Sequence, residues 1–66
     1  MDLENLLTTK EAARKLGYSH KTLEAWRPEG RGPDYFRLPN GHIRYSLDDL
    51  LAWVGGNKWS NSNAHA

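Results

Sequence analysis

The sequence of 66 residues contains no cysteine and no run of apolar residues longer than a few positions. The lack of cysteine excludes disulfides, thiolate metal ligands and a cysteine nucleophile. The apolar runs are much shorter than the roughly 20 residues needed to cross a bilayer. Residues 1–4 also lack the basic and apolar parts of a secretion signal. We therefore expect one small cytoplasmic domain with a modest apolar core and no membrane contact.

A large net charge is also missing, because nine Lys and Arg residues are nearly balanced by eight Asp and Glu residues. The basic residues are concentrated between positions 10 and 44, where eight of them accompany four acidic residues. This asymmetry favours a polyanion as partner. Scattered surface lysines give similar counts in other globular domains, so charge alone does not identify the partner.

The first helix is predicted from a cap at each end. Residues 8–11, Thr-Thr-Lys-Glu, have the form of a capping box, in which the Thr hydroxyl and the Glu carboxylate each accept a free backbone amide. Gly17 easily adopts the left-handed conformation that ends helices. We therefore expect a helix from Thr9 to Leu16, with Ala12 and Ala13 on its apolar face.

The second helix follows after a short turn. Ser19 is a good N-cap for it. The helix should stop near Arg27, because Pro28 disfavours helical geometry in the residue that precedes it. Residues 28–34, which are rich in Gly and Pro, are expected to form a loop.

A β-hairpin is predicted around Pro39-Asn40-Gly41, because Asn-Gly is typical of tight hairpin turns and both residues tolerate a positive φ. Its strands would be residues 35–38 and 42–45. The four apolar side chains of these strands do not all share one face, so one pair must face inward while the other is partly exposed. These four are Phe36, Leu38, Ile43 and Tyr45. We expect Tyr45 in the core.

A third helix should start at Ser46, with two acidic residues at the positive end of the helix dipole. Gly55 and Gly56 should end it. Between them lies a stripe with i, i+3, i+4 and i+7 spacing, typical of an amphipathic helix: Leu47, Leu50, Leu51 and Val54.

The predicted domain, residues 8–55, has two less defined ends. Residues 1–7 are an N-terminal arm, either loose or a lead-in strand that packs its leucines on the core. Residues 56–66 are a flexible, mostly polar tail in which Trp59 either anchors the tail to a partner or is loosely tethered. Trp26 and Trp53 are predicted to be core residues, because each lies on a helix beside other apolar positions.

Two short helices joined by a turn of about three or four residues allow the second helix to enter the major groove while the first braces it. Five polar side chains would face outward from the second helix: His20, Lys21, Thr22, Glu24 and Arg27. Such donors and acceptors contact base edges or phosphates. The alternative is a small helical hairpin whose polar face is only solvated.

The hairpin adds basic side chains beside this helix. A ribbon carrying Arg37, His42 and Arg44 can lie against phosphates or enter the minor groove. Arg44 could instead pair with Asp34 or Glu29, but an exposed pair contributes only about 0–1 kcal/mol, so we favour phosphate contact. The expected fold is mainly α with a small β-hairpin, a winged helix-turn-helix of three short helices and a two-stranded wing.

Patterns for catalysis and metal binding are weak. The adjacent pairs Ser19-His20 and Asp48-Asp49 point their side chains in different directions on a helix, and no base, orienting group or pocket is evident. The three histidines at positions 20, 42 and 65 lack metal-ligand spacing. We expect a protein that is not an enzyme and binds neither a metal nor a cofactor.

Several segments resemble one family in their order and spacing. They are Leu7-Thr8-Thr9-Lys10-Glu11-Ala12-Ala13, Leu16-Gly17-Tyr18-Ser19, Thr22-Leu23-Glu24-Ala25-Trp26-Arg27, Gly32-Pro33, Ile43-Arg44-Tyr45 and Asp49-Leu50-Leu51-Ala52-Trp53. The chain resembles the excisionase-type, MerR-like winged helix-turn-helix group, which includes recombination directionality factors and AlpA-like regulators. The resemblance implies a recognition helix from Ser19 to Arg27 and a wing from Arg37 to Arg44.

The resemblance also implies a function without catalysis, in which the protein binds adjacent DNA sites, bends the DNA near an attachment site and helps an integrase to excise a mobile element. The implied partners are double-stranded DNA, further copies of the chain side by side on the DNA, and an integrase, at the bacterial nucleoid. MerR-type regulators add a coiled coil and an effector domain. The chain has neither, so we expect no small-molecule effector.

We predict that bases are read by His20, Lys21, Thr22 and Glu24, with Ser19 at the start of the same helix. Phosphate contacts are assigned to Arg14, Arg27, Arg37, His42 and Arg44. One alternative is a small transcriptional regulator of a phage or integrative element. Another is a protein-interaction module, in which the third helix, Trp59 and the acidic arm dock a recombinase or polymerase.

Overall fold

The computed structural model describes residues 6–58, which form three helices and a small antiparallel sheet and confirm the predicted class of a mainly α winged helix-turn-helix. The predictions for residues 1–5 and 59–66, including Trp59 and His65, lie outside the described residues. No helix within residues 6–58 is long and apolar enough to cross a membrane. The elements are β1 (Leu6–Leu7), α1 (Thr9–Leu16), α2 (His20–Trp26), a 3-10 turn (Arg27–Glu29), β2 (Phe36–Arg37), β3 (Ile43–Ser46) and α3 (Leu47–Gly56).

Each helix begins at a side chain that caps its free amides, as the sequence predicts. In the capping box of α1, the Thr8 Oγ1 accepts the Glu11 N–H at 3.1 Å, and the Glu11 Oε1 accepts the Thr8 N–H at 2.9 Å. The hydroxyls of Ser19 and Ser46 accept the amide three residues ahead at 3.3 and 3.0 Å. Gly17 ends α1 in the left-handed conformation, with φ of 82°.

The predicted loop after α2 begins instead as a 3-10 turn over Arg27–Glu29. Pro28 is accommodated because it lies in the first turn, where its missing N–H is not needed. Gly30 closes the turn with φ of 71°, and its N–H donates to the Arg27 carbonyl at 3.1 Å. The sequence prediction of a loop over residues 28–34 is therefore wrong at its start.

The sheet has the order β1-β3-β2, so β3 is its central strand. Leu7 pairs with Tyr45 on one side of β3, which shows that residues 6–7 are a strand of the domain and not part of a loose arm. On the other side, the hairpin is closed by a three-residue loop. Gly41 adopts a positive φ there and Asn40 does not, and the Asn40 Oδ1 accepts the His42 N–H at 3.0 Å.

The core lies where the inner face of the sheet meets the helices. Tyr45 is fully buried there, as predicted. Trp26 is half-buried and packs against the core, whereas Trp53, also half-buried, lies against the Trp26 ring outside the core cluster, contrary to the prediction of a core position. The fully buried apolar residues are Ala12, Ala13, Leu23, Tyr45 and Leu50.

The apolar stripe of α3 is buried at one position only. Leu50 is 2 % exposed, whereas Leu47, Leu51 and Val54 are 43 %, 60 % and 46 % exposed. The described domain packs β3 and α1 against one side of α3 and leaves the rest of the stripe uncovered. The helix ends at Gly56, within the Gly55-Gly56 pair that the sequence predicts as its end.

Candidate nucleic-acid interface

The outer face of α2 carries exposed polar side chains. The turn between α1 and α2 has three residues, 17–19, as the sequence predicts for a helix-turn-helix. Leu23 anchors α2 in the core, and Lys21 and Glu24 are exposed on the outer face. His20 and Thr22 lie half-buried at its edges.

Sequence reasoning missed Ala25, which is exposed on the same outer face. Its position four residues after Lys21 places both side chains on one side of the helix. Its i, i+4 spacing from Lys21 is the sequence signal for this position, although an alanine carries no donor or acceptor. A methyl group at this place is suited to contact the methyl group of thymine.

The hydroxyls of Ser19 and Thr22 are already used at the start of α2. They lie 3.1 Å from each other, and the Ser19 Oγ also accepts the Thr22 N–H. Their first role is thus to cap the helix. Both hydrogen bonds are exposed, so the two side chains remain next to the outer face.

Arg27 does not face outward, contrary to the sequence prediction. Its Nη1 donates to the Thr9 Oγ1 at 3.2 Å and to the Tyr45 hydroxyl at 3.1 Å. The guanidinium also lies 5.7 Å from the centre of the Tyr35 ring. Position 27 follows Leu23 by four residues and shares its inward face, and the long side chain reaches across the domain. Arg27 therefore links the end of α2 to α1 and β3.

The basic residues of the wing are divided between the two faces of the sheet. Arg37 pairs with Ile43 and shares the face of Tyr45, whereas Arg44 pairs with Phe36 on the opposite face, as the alternation along a strand requires. Arg37 and His42 are exposed. The structure does not bring the three predicted residues of the wing to one face.

Arg44 is half-buried, and its Nη1 donates to the Ile43 carbonyl at 2.7 Å. It forms no ion pair with Asp34 or Glu29 in the part of the chain that the structure describes, since Glu29 pairs with Arg31 at 3.2 Å. The alternative of a surface pair for Arg44 is therefore wrong for both candidates. The guanidinium remains available for an external anion.

The charge of Arg44 on the wing acts on Glu11 in the first turn of α1. The pKa of Glu11 is lowered chiefly by its hydrogen bonds with the backbone and side chain of Thr8, and further by the charges of Arg44 and Lys15. Arg14 is exposed on α1. Both helices and the wing thus contribute cationic groups to the surface of the domain.

Residues 6–58 match a family model described as a helix-turn-helix domain. The match covers all the described elements, from β1 through α3. The search of curated proteins found no match for this chain.

Proposed function

Because the chain belongs to the helix-turn-helix domain family, we propose that it reads a specific double-stranded DNA site with α2 while its wing holds the neighbouring backbone. The observation that carries this proposal is the outer face of α2, where Lys21, Glu24 and Ala25 are exposed while Leu23 anchors the helix. Such side chains contact base edges and the thymine methyl in a major groove. The protein performs no chemical step of its own.

The residues of this interface have different tasks. Lys21 and Glu24 read bases from the centre of the outer face, and Arg27 positions α2 from inside the domain. Phosphates are contacted from α1 and the wing, where basic groups fix the register of the protein on the duplex. The phosphate-binding residues are Arg14, Arg37, His42 and Arg44, and the edge of the base-reading face is formed by Ser19, His20 and Thr22.

The biological role that we infer is that of an excisionase, which bends DNA near an attachment site and promotes excision by an integrase. Its support is the resemblance in the order and spacing of the sequence segments. A domain this small buries little surface on DNA, so useful affinity requires neighbouring copies or contact with a second protein. The same geometry serves the second candidate, a transcriptional regulator of a mobile element.

The deciding experiment incubates the pure protein with fragmented DNA of its source organism at moderate salt and sequences the retained fragments. Clusters of repeated sites beside an integrase gene or attachment site support the excisionase. Sites centred on promoters support the regulator. If nothing specific is retained, the proposed DNA site is wrong.

The assignment of α2 is tested with two lysine variants on the site recovered in this way. Lys21→Ala should weaken binding by about 1–3 kcal/mol and relax the preference at one base pair, because a base contact is lost. Lys58→Ala is the matched control, since it removes the same charge from an exposed position at the end of α3. Equal losses in both variants would contradict the role of α2.

A further inference from the structure

A second surface, separate from the outer face of α2, is formed by aromatic side chains from three parts of the chain. Tyr18 follows α1, Trp26 ends α2 and Trp53 belongs to α3. The Tyr18 ring lies 5.1 Å from the Trp26 ring and 6.5 Å from the Trp53 ring, and the two indoles are 5.7 Å apart. Together with Arg31, Val54 and Lys58 they line an open groove of about 560 Å³, which we name the aromatic groove.

The aromatic groove continues into the uncovered side of α3. Val54 lines the groove and shares one face of the helix with Leu47 and Leu51, and all three are largely exposed. Contiguous apolar surface on a small domain marks a place where another apolar group binds. The described domain itself supplies no such group along this stripe.

The charge at the rim of the groove restricts what binds there. Among residues 6–58, Arg31 and Lys58 are the charged residues that line it, and no acidic residue of this range does so. Arg31 donates to Glu29 at 3.2 Å, but both side chains are more than half exposed. Exposed pairs of this kind contribute little, so an incoming carboxylate can replace Glu29. A cationic ligand is disfavoured by the same two positive charges.

The arrangement of the rings favours a peptide over a single nucleic-acid strand. Bases stack on free aromatic faces. The Trp26 ring is not free for stacking, because the guanidinium of Arg31 lies 5.3 Å from its centre and Gly32 packs against its edge. The aliphatic stripe beside the groove also offers nothing to a phosphate chain, whereas it continues the apolar surface for a peptide.

We propose that the aromatic groove and the stripe beside it form a docking site for an acidic peptide segment of a partner protein. A large apolar side chain of that segment packs into the open groove against Tyr18, Trp26 and Trp53. Its carboxylates lie against Arg31 and Lys58, and its remaining apolar side chains cover Val54 and Leu51. This site does not depend on the identity of the DNA target.

The test selects short random peptides, displayed on phage, against the full chain and then titrates synthetic copies by amide chemical shifts. We expect the selected sequences to combine Asp or Glu with Trp, Phe or Leu, and to shift signals of Tyr18 and Trp53. The double variant Val54→Glu and Lys58→Glu should weaken binding by about tenfold or more, because it removes an apolar contact and reverses the charge of the groove. The matched control Lys15→Glu, on the exposed side of α1, should bind as the wild type does.

Four results would overturn the proposal. The first is that no sequence is enriched, and the second is that the double variant binds the peptides like the wild type. The third is that single-stranded DNA, and no peptide, shifts the groove signals. The fourth is that deletion of residues 59–66 makes the peptides bind more tightly, which would identify the chain's own end as a competing occupant. Retained binding of the double variant to its DNA site confirms that it is folded.

Discussion

Gly32 shows how one residue can shape a surface without a side chain of its own. Its φ is 86°, and a Cβ atom at this position would lie 2.8 Å from the Trp26 Cε3 atom. Arg31 approaches the same indole from the preceding position. The segment after the 3-10 turn therefore holds Trp26 from one side, while Tyr18 and Trp53 contact it from the other.

Gly32→Ala should destabilise the domain more than Gly30→Ala. Both glycines have positive φ, where a side chain costs about 1–2 kcal/mol, but only Gly32 has no space for a Cβ. The clash with Trp26 should add about 1–3 kcal/mol to the loss. Urea unfolding of both variants measures the difference, and equal midpoints would show that the indole moves aside freely.

Residue roles were predictable where they depend on near neighbours. The capping functions of Thr8, Ser19 and Ser46 follow from hydrogen bonds that span three residues, so the sequence pattern contains them. The role of Arg27 was not predictable. Its partners Thr9 and Tyr45 lie 18 residues away on either side, and only the packed domain brings them together.

At the scale of elements, the capping residues in the sequence predict where each helix begins, whereas no sequence pattern predicts how much of α3 is buried. The sequence stripe correctly predicts a helix, but periodicity does not specify how much of it a neighbour covers. Leu50 meets the core and Leu51 does not, because the described sheet and helices reach only one side of α3. The sequence predicts the wing as a hairpin. It does not predict the register of β2 against β3, which places Arg37 on one face of the sheet and Arg44 on the other.

The capping box of α1 should make stability depend on acid pH. The pKa of Glu11 is lowered from its ordinary value of 4.5, so its stabilising contribution is present above about that pH and is lost as the pH falls through the lowered pKa. The difference in melting temperature between the wild type and Glu11→Gln should therefore shrink as the pH falls below about 4.5.

The control for this measurement is Glu24→Gln, which removes one carboxylate from the exposed face of α2. It corrects for the effect of net charge on the melting temperature. If the difference between the wild type and Glu11→Gln stays constant through acid pH, the capping carboxylate does not couple to folding.

At the scale of the whole molecule, affinity for DNA has to come from the placement of charges, since the net charge is only +1. Three Lys or Arg side chains contact phosphates in the proposed interface. They are Arg14 on α1, and Arg37 and Arg44 on the wing. Arg27 is left out, because its guanidinium is engaged inside the domain.

These three contacts predict a slope of about −2.7 for the logarithm of the binding constant against the logarithm of the salt concentration. Arg44→Ala should reduce the steepness by about 0.9. Arg27→Ala should leave the slope unchanged and lower the free energy of unfolding by about 1–3 kcal/mol, because charged hydrogen bonds are lost. A less steep slope in Arg27→Ala would show that Arg27 contacts a phosphate.

The junction between the wing and α3 has a mechanical consequence. Ser46 is the last residue of β3 and also the N-cap of α3, and it is buried and hydrogen-bonded to the Asp49 amide. No linker separates strand from helix, and the residue that joins them is buried. We expect a displacement of β3 to move the start of α3 with it, because no loop lies between the two elements.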